Sequence, residues 1–167
     1  MRASGAPELD RGVPERVTVE NARRKAHAVR EEGAREAVLG CDTVVVLGSE
    51  IHGKPADEAG AREMLRALGG STHEVVSGLA LLLAGGGADG AVEERTATAR
   101  TEVSFRELDE AMLDWYLATG EWRGRAGGYA IQGAGAALVR GVAGDYENVV
   151  GLPVASLLDI YPQLLRG

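Results

Sequence analysis

The spacing of apolar residues along this chain changes period several times, and each change predicts an element. From Pro14 to Gly33, Val17, Ala22, Ala26 and Val29 recur near helical spacing, with Pro14-Glu15 suited to a first turn and Gly33 to a C-cap. Residues 1 to 14 show no such period and carry Gly5, Pro7 and Gly12, so they read as an extended or frayed entry. From Ala37 to Leu47 the chain is apolar and β-branched, interrupted only by Asp42 and Thr43. The turn Gly48-Ser49-Glu50 then leads back through Ile51 to Gly53-Lys54-Pro55, which predicts a strand, a turn and a short return strand.

A second helix opens at Pro55-Ala56-Asp57-Glu58, buries Met64, Leu65 and Leu68, and stops at Gly69-Gly70. Two long strands follow, Thr72 to Ala84 and Ala91 to Phe105, joined by a loose hairpin tip at Gly85 to Gly90. The alternation Thr96-Ala97-Thr98-Ala99-Arg100-Thr101 marks the second as a strand with one wet face. Asp109 caps a third helix running to Ala118 with Met112, Leu113, Tyr116 and Leu117 on its apolar side. A strand from Ala136 to Val142 and a last helix carrying Leu157, Leu158, Ile160 and Leu164 complete the pattern. Between them, Thr119 to Gly133 gathers glycines, Glu121, Arg123, Arg125 and aromatics outside any regular period, as a functional loop does.

Composition narrows the class. With 167 residues, 45% hydrophobic and 26% charged, the chain suits one domain with a substantial core. A net charge of −7 and a pI near 5.0 argue against general affinity for nucleic acid or anionic membrane, though local clusters can still bind a small anion. The longest apolar run, Leu79 to Ala84, is too short to span a bilayer, and the start lacks a signal-peptide core, so a cytoplasmic location is expected. The single cysteine, Cys41, excludes an internal disulfide and sits among apolar neighbours that favour the protonated thiol over a nucleophile.

Two features carry the candidate chemistry. A carboxylate inside a Val/Leu run costs several kcal/mol unless paired, so Asp42 calls for a cation, a metal or a catalytic task; capping a turn or pairing with a structural arginine is an equally open reading. Of 18 basic residues only Lys25 and Lys54 are lysine, which points to sites that want a compact point charge, as phosphate sites do. The remaining basic residues on the first helix read as a solvated face.

Taken together, Glu20-Asn21-Ala22-Arg23-Arg24-Lys25-Ala26, Gly40-Cys41-Asp42-Thr43-Val44-Val45, Gly53-Lys54-Pro55 and Leu65-Arg66-Ala67-Leu68-Gly69-Gly70 before His73-Glu74-Val75 form an ordered set. Gly120-Glu121, Ala126-Gly127-Gly128-Tyr129-Ala130-Ile131-Gln132-Gly133 and Asn148-Val149-Val150-Gly151-Leu152-Pro153 continue it. The set resembles the Maf family of nucleoside triphosphate pyrophosphatases from about Val17 onward. The family opens with a strand and a loop reading roughly Ala-Ser-x-Ser-Pro-Arg-Arg, of which Ala3-Ser4-Gly5-Ala6-Pro7 is a faint echo. Residues 1–167 therefore read as a single, N-terminally shortened Maf-like domain, with Glu8 or Asp10 as a remnant of the family's acidic segment.

The resemblance implies an α/β fold: an elongated, mixed and largely antiparallel twisted sheet flanked by helices, with a central cleft. It implies attack of water on the α-phosphorus of a nucleoside triphosphate, giving the monophosphate and pyrophosphate, with Mg²⁺ or Mn²⁺ as the divalent metal cofactor. In that chemistry Lys25 and Lys54 hold the polyphosphate, Asp42 is the general base or metal carboxylate, and Glu121 is a second catalytic and metal carboxylate, with Glu20 a weaker candidate. Arg125 stands where the family commonly has lysine and is expected to bind phosphate. Thr43 and Gln132 match the branch acting on dTTP and UTP; an amide both donates and accepts, which suits the O4 and N3–H edge of thymine or uracil. The resemblance also implies a homodimer. A catalytically impaired family member that binds nucleotide or serves cell-division regulation, and an α/β domain whose acid and lysines are only structural, are the competing expectations.

Overall fold

A computed structural model describes residues 5–31, 36–84 and 92–166. The expected Gly33 cap, the Gly85–Gly90 tip and the Ala3-Ser4 echo lie outside the described residues. The entry segment leads into helix α1 (Pro14–Val29), with Pro14 at its first turn as its fixed φ favours. Strand β1 (Val38–Leu47) and the short β2 (Glu50–His52) form the expected hairpin, and α2 (Glu58–Leu68) starts where the Asp57 side chain accepts the Gly60 N–H at 2.8 Å. Next come β3 (Thr72–Leu83), β4 (Glu93–Phe105) and α3 (Glu110–Ala118), the last capped by Asp109, which accepts the Met112 N–H at 2.8 Å. The chain ends with β5 (Val139–Ala143), α4 (Tyr146–Val150) and α5 (Val154–Ile160).

The five strands lie in the order β2-β1-β3-β4-β5. Every pairing among them is antiparallel, so the mixed, largely antiparallel sheet expected from sequence is wholly antiparallel among the described residues. The hairpin reverses the chain at β2, and α2 then carries it past β1 so that β3 runs against β1 on the other side. Two terminal expectations also change. Ala134–Leu138 forms a 3₁₀ turn and the strand begins only at Val139, while Leu164 falls in a separate 3₁₀ turn (Pro162–Leu165). Pro162 lacks the N–H that would continue α5.

The sheet is covered on both faces, which is why β1 and β3 are nearly continuous apolar runs while β4 alternates. Period two assigns Gly40, Asp42, Val44 and Val46 to one face and Cys41, Thr43 and Val45 to the other. On the first face lies α1, through fully buried Ala22 and Ala26. The approach is so close that a Cβ at Gly40 would stand 2.0 Å from the Ala22 carbonyl oxygen, and one at Gly78 2.3 Å from the Val19 nitrogen. On the second face Val45, Val75, Val103 and Phe105 pack with Leu65 and Leu68 of α2 and Leu113 and Tyr116 of α3 as the main core. Asp42 and Thr43 are thus adjacent in sequence and face opposite layers.

Candidate active site

The site forms where β2 stops. Its pairing covers only Val45–Leu47 of β1, so on that side Asp42 and Thr43 have no neighbouring strand among the described residues. Asp42 nevertheless is 6% exposed, because α1 crosses its face and supplies two partners one helical turn apart. Lys25 Nζ donates to Asp42 Oδ1 at 2.5 Å, and Asn21 Nδ2 donates to Oδ2 at 3.0 Å. The burial that made Asp42 conspicuous in sequence is therefore offset by an ammonium and an amide.

Asn21 also ties down the entry segment. Its Oδ1 accepts the Leu9 N–H at 2.7 Å and its Nδ2 donates to the Leu9 carbonyl at 3.0 Å, so both amide hydrogens are used. This brings Glu8 over the site, where its Oε1 lies 2.8 Å from Lys25 Nζ and 3.7 Å from Lys54 Nζ. Asp42, Lys25, Glu8 and Lys54 form a chain of alternating charge. Burial pushes Glu8 up, but Lys25 and then Lys54 hold it net below the usual carboxylate range. Burial likewise draws Lys25 down, and Asp42 and Glu8 more than reverse this, so its pKa stands above that of an ordinary lysine.

Two cavities meet at this chain. One of about 350 Å³ opens on the core face of β1, with Asp42, Thr43 and Lys54 on one wall and Arg125, Tyr129 and Gln132 on another. The other, about 290 Å³, lies toward α1 between the entry segment and β1, and shares Asp42, Thr43 and Lys54 with the first. Thr43 Oγ1 pairs with Ser77 Oγ across the strands at 2.8 Å. Neither the Arg125 guanidinium nor the Gln132 amide has a side-chain partner among the described residues, which leaves both available to a ligand. The Arg125–Gly133 loop is itself well anchored: Gly127 N–H donates to the Gly53 carbonyl beside Lys54 at 3.0 Å, and Ala130 N–H to the Tyr116 hydroxyl at 3.1 Å.

Six of the seven residues singled out from sequence line the larger cavity: Lys25, Asp42, Thr43, Lys54, Arg125 and Gln132. Glu121 lies elsewhere. It lines neither cavity; its carboxylate packs against Gly133, where a Cβ would meet Oε2 at 2.4 Å, and Oε2 is buried with no hydrogen-bond partner among the described residues. Glu20 is turned outward, paired with Arg24 at 3.0 Å and Arg23 at 3.5 Å. Asn21 and Tyr129 are additions from the structure; the signal for Asn21 was its place four residues before Lys25 on one helix face. Cys41 donates its thiol to the Gly151 carbonyl at 3.1 Å, and burial pushes it up to about 11, which keeps it protonated and inert.

Among the described residues no group of three or more His, Cys, Asp or Glu side chains could hold a metal ion. Asp42 and Glu8 carry the hard oxygens a divalent ion takes, but the Lys25 ammonium, 2.5 Å from Asp42 Oδ1 and 2.8 Å from Glu8 Oε1, stands where a cation shared by the two would sit.

Residues 3–164 match the family model described as Maf-like protein. The chain is 46% identical over 156 residues to the dTTP/UTP pyrophosphatase of Bacillus cytotoxicus, covering 92% of this chain and 77% of that protein. It is 40% identical over 147 residues to the dTTP/UTP pyrophosphatase of Pyrococcus furiosus, covering 88% and 74%, and 44% identical over 147 residues to that of Bacillus mycoides, covering 87% and 72%. Among the described residues no helix is long and apolar enough to cross a membrane. An antiparallel sheet clad by helices, with paired lysines and carboxylates at its β1 edge and a family match over nearly its whole length, identifies the chain as a member of the Maf family.

Proposed function

We propose that this chain hydrolyses dTTP and UTP to the monophosphate and pyrophosphate, with residues 1–167 acting as one catalytic unit and a homodimer as the working form. The observation that carries the reading is the alternating chain Asp42, Lys25, Glu8 and Lys54 at the junction of two cavities, facing a loop that presents Arg125 and Gln132. Relatives at 40–46% identity bear the name dTTP/UTP pyrophosphatase.

The chemistry follows from the charges. A triphosphate needs cations along its length and a base for the attacking water. Lys54, half exposed at the cavity mouth, and Arg125, without a side-chain partner among the described residues, receive the phosphates. Lys25 stays with Asp42 and fixes its carboxylate. Asp42 takes the proton from water at Oδ1 or Oδ2 as the water oxygen bonds to the α-phosphorus. The bond from that phosphorus to the bridging oxygen breaks, and pyrophosphate leaves with the electron pair, its charge met by Lys54. A divalent ion carried in on the triphosphate, with Asp42 or Glu8 as its protein ligand, would neutralise phosphate charge and acidify the water. Gln132 reads the pyrimidine edge, its amide donating to O4 and accepting from N3–H, and Thr43 lines the same cavity.

The test is pyrophosphate release from dTTP, UTP, dCTP and GTP with Mg²⁺ or Mn²⁺. The reading expects dTTP and UTP to be preferred, Asp42→Asn to lose at least about 10³-fold in turnover, and Gln132→Glu to lose the pyrimidine preference while remaining folded. Undiminished turnover by Asp42→Asn would remove Asp42 from the chemistry, and no preference for dTTP or UTP would remove the base assignment. Sedimentation of the purified chain checks the dimer.

A further inference from the structure

The base-reading loop is tied to the sheet by a pair of residues that the proposed chemistry leaves unused. His73, on β3, is 1% exposed, and its Nε2 lies 2.9 Å from the Tyr129 hydroxyl. Burial, and next the nearby His52, push the imidazole down to about 4, so at neutral pH it is uncharged and offers one N–H and one lone pair. Its Nδ1 is buried with no partner, so the bond to Tyr129 is the only polar anchor the ring has among the described residues. Phe105 closes the group: its ring stands edge-on to His73 and to Tyr129, with centroids 4.8 Å apart in each case.

Tyr129 lines the larger cavity and stands three residues before Gln132. The backbone between them is fixed at Ala130 by Tyr116, and the loop's other end is fixed at Gly127 by the Gly53 carbonyl. Gly133 N–H donates to the Ala130 carbonyl at 3.1 Å, so the turn carrying Gln132 hangs from Ala130, and the side-chain bond of its neighbour Tyr129 ties that turn to the central strand. A buried His with a vacant nitrogen is costly as mere filling, and an apolar side chain would pack the same space without it.

We infer that His73 and Tyr129 form a positioning pair that sets where Gln132 stands in the cavity, and thereby governs discrimination between pyrimidine bases without His73 touching the nucleotide. The inference rests on the dTTP/UTP reading above. It makes His73 a specificity-determining residue outside the site. Loss of the bond releases the Gln132 amide from the O4 and N3–H edge, so the contrast between dTTP and dCTP, which differ at that edge, is what weakens.

The experiment compares dTTP with dCTP in a small set of variants. Tyr129→Phe, which removes one oxygen, is expected to raise KM for dTTP about tenfold, keep kcat within about threefold, and cut the dTTP-over-dCTP preference about tenfold. His73→Phe should do the same, the double variant should be no worse than either single, and His73→Gln, which retains a hydrogen-bonding group, should recover most of the preference. Phe105→Leu loosens the same aromatic cluster without touching the bond, and should lower Tm while leaving the preference unmoved. Wild-type KM and preference in Tyr129→Phe would overturn the inference, as would an equal loss of preference in Phe105→Leu or strict additivity in the double variant. Where His73→Phe does not fold, Tyr129→Phe decides. Should the wild-type chain bind dTTP without hydrolysing it, the catalytic reading falls, and calorimetric titration of the same variants with dTTP and dCTP still reads the pair.

Discussion

Asn21 Nδ2 lies 3.0 Å from Asp42 Oδ2, and the same side chain holds Leu9 through both its backbone groups, so one amide couples the candidate base to the entry segment that carries Glu8. Asn21→Ala would leave a buried carboxylate oxygen without its donor and release Glu8 from Lys25. It is expected to cost about 2–3 kcal/mol of stability and to reduce dTTP turnover by about tenfold or more. Urea midpoints and initial rates check the two effects separately.

Lys25 and Lys54 are expected to behave differently although both are scarce lysines of one site. The Lys25 side chain is 21% exposed and sits against a buried carboxylate, so Lys25→Ala strands the Asp42 charge and should destabilise by about 3 kcal/mol or more besides abolishing activity. Lys54 is 53% exposed and 3.7 Å from Glu8, so Lys54→Ala should change stability by no more than about 0.5 kcal/mol while raising KM for dTTP. Thermal unfolding alongside KM and kcat distinguishes them.

Gly78→Ala tests how α1 is seated. The added Cβ would stand 2.3 Å from the Val19 nitrogen and 2.4 Å from the Thr18 carbonyl carbon, which are backbone atoms with no rotamer to yield. Moving α1 outward separates Asn21 and Lys25 from Asp42. A loss of about 3 kcal/mol or more is expected, with activity reduced even where the variant remains folded, as measured by urea denaturation and dTTP hydrolysis.

Acid should unfold this protein partly through His73. Its folded pKa of about 4 lies below its ordinary 6.5, so between those values the unfolded chain binds a proton that the folded one refuses. Stability contributed by the neutral imidazole is complete above pH 6.5 and is lost as pH falls toward 4, by about 3 kcal/mol at most. Urea midpoints across that window, compared between wild type and His73→Gln, should show a shallower dependence in the variant.

Local chemistry announced much of the fold. Asp57 and Asp109 cap helices because a short acceptor before an apolar period can satisfy free N–H groups, and the β-branched runs around Asp42 and Val75 form strands because they suit a buried pleat. The stretch Ala134–Leu138 offered no such signal: glycine and alanine carry no period, and the 3₁₀ turn there is chosen by contacts with the core. The end of α5 before Leu164 was written in Pro162, yet the apolar spacing ran past it.

For the site, two features stood out in the sequence as costly for mere structure: an acid inside an apolar strand and two lysines in an arginine-rich chain, while Gln132 was marked only by the family resemblance. The family pattern ordered them, and the fold brought them to one cavity. The partners of these residues came from the fold. Asp42 meets Lys25 and Asn21 from 17 and 21 residues away, and His73 meets Tyr129 across 56. It also placed Glu8 between the two lysines and set the Glu121 carboxylate against Gly133, in the lining of neither cavity. Residue type records how costly a side chain is to bury. Which group offsets that cost depends on the packing of distant elements, and no local pattern encodes it.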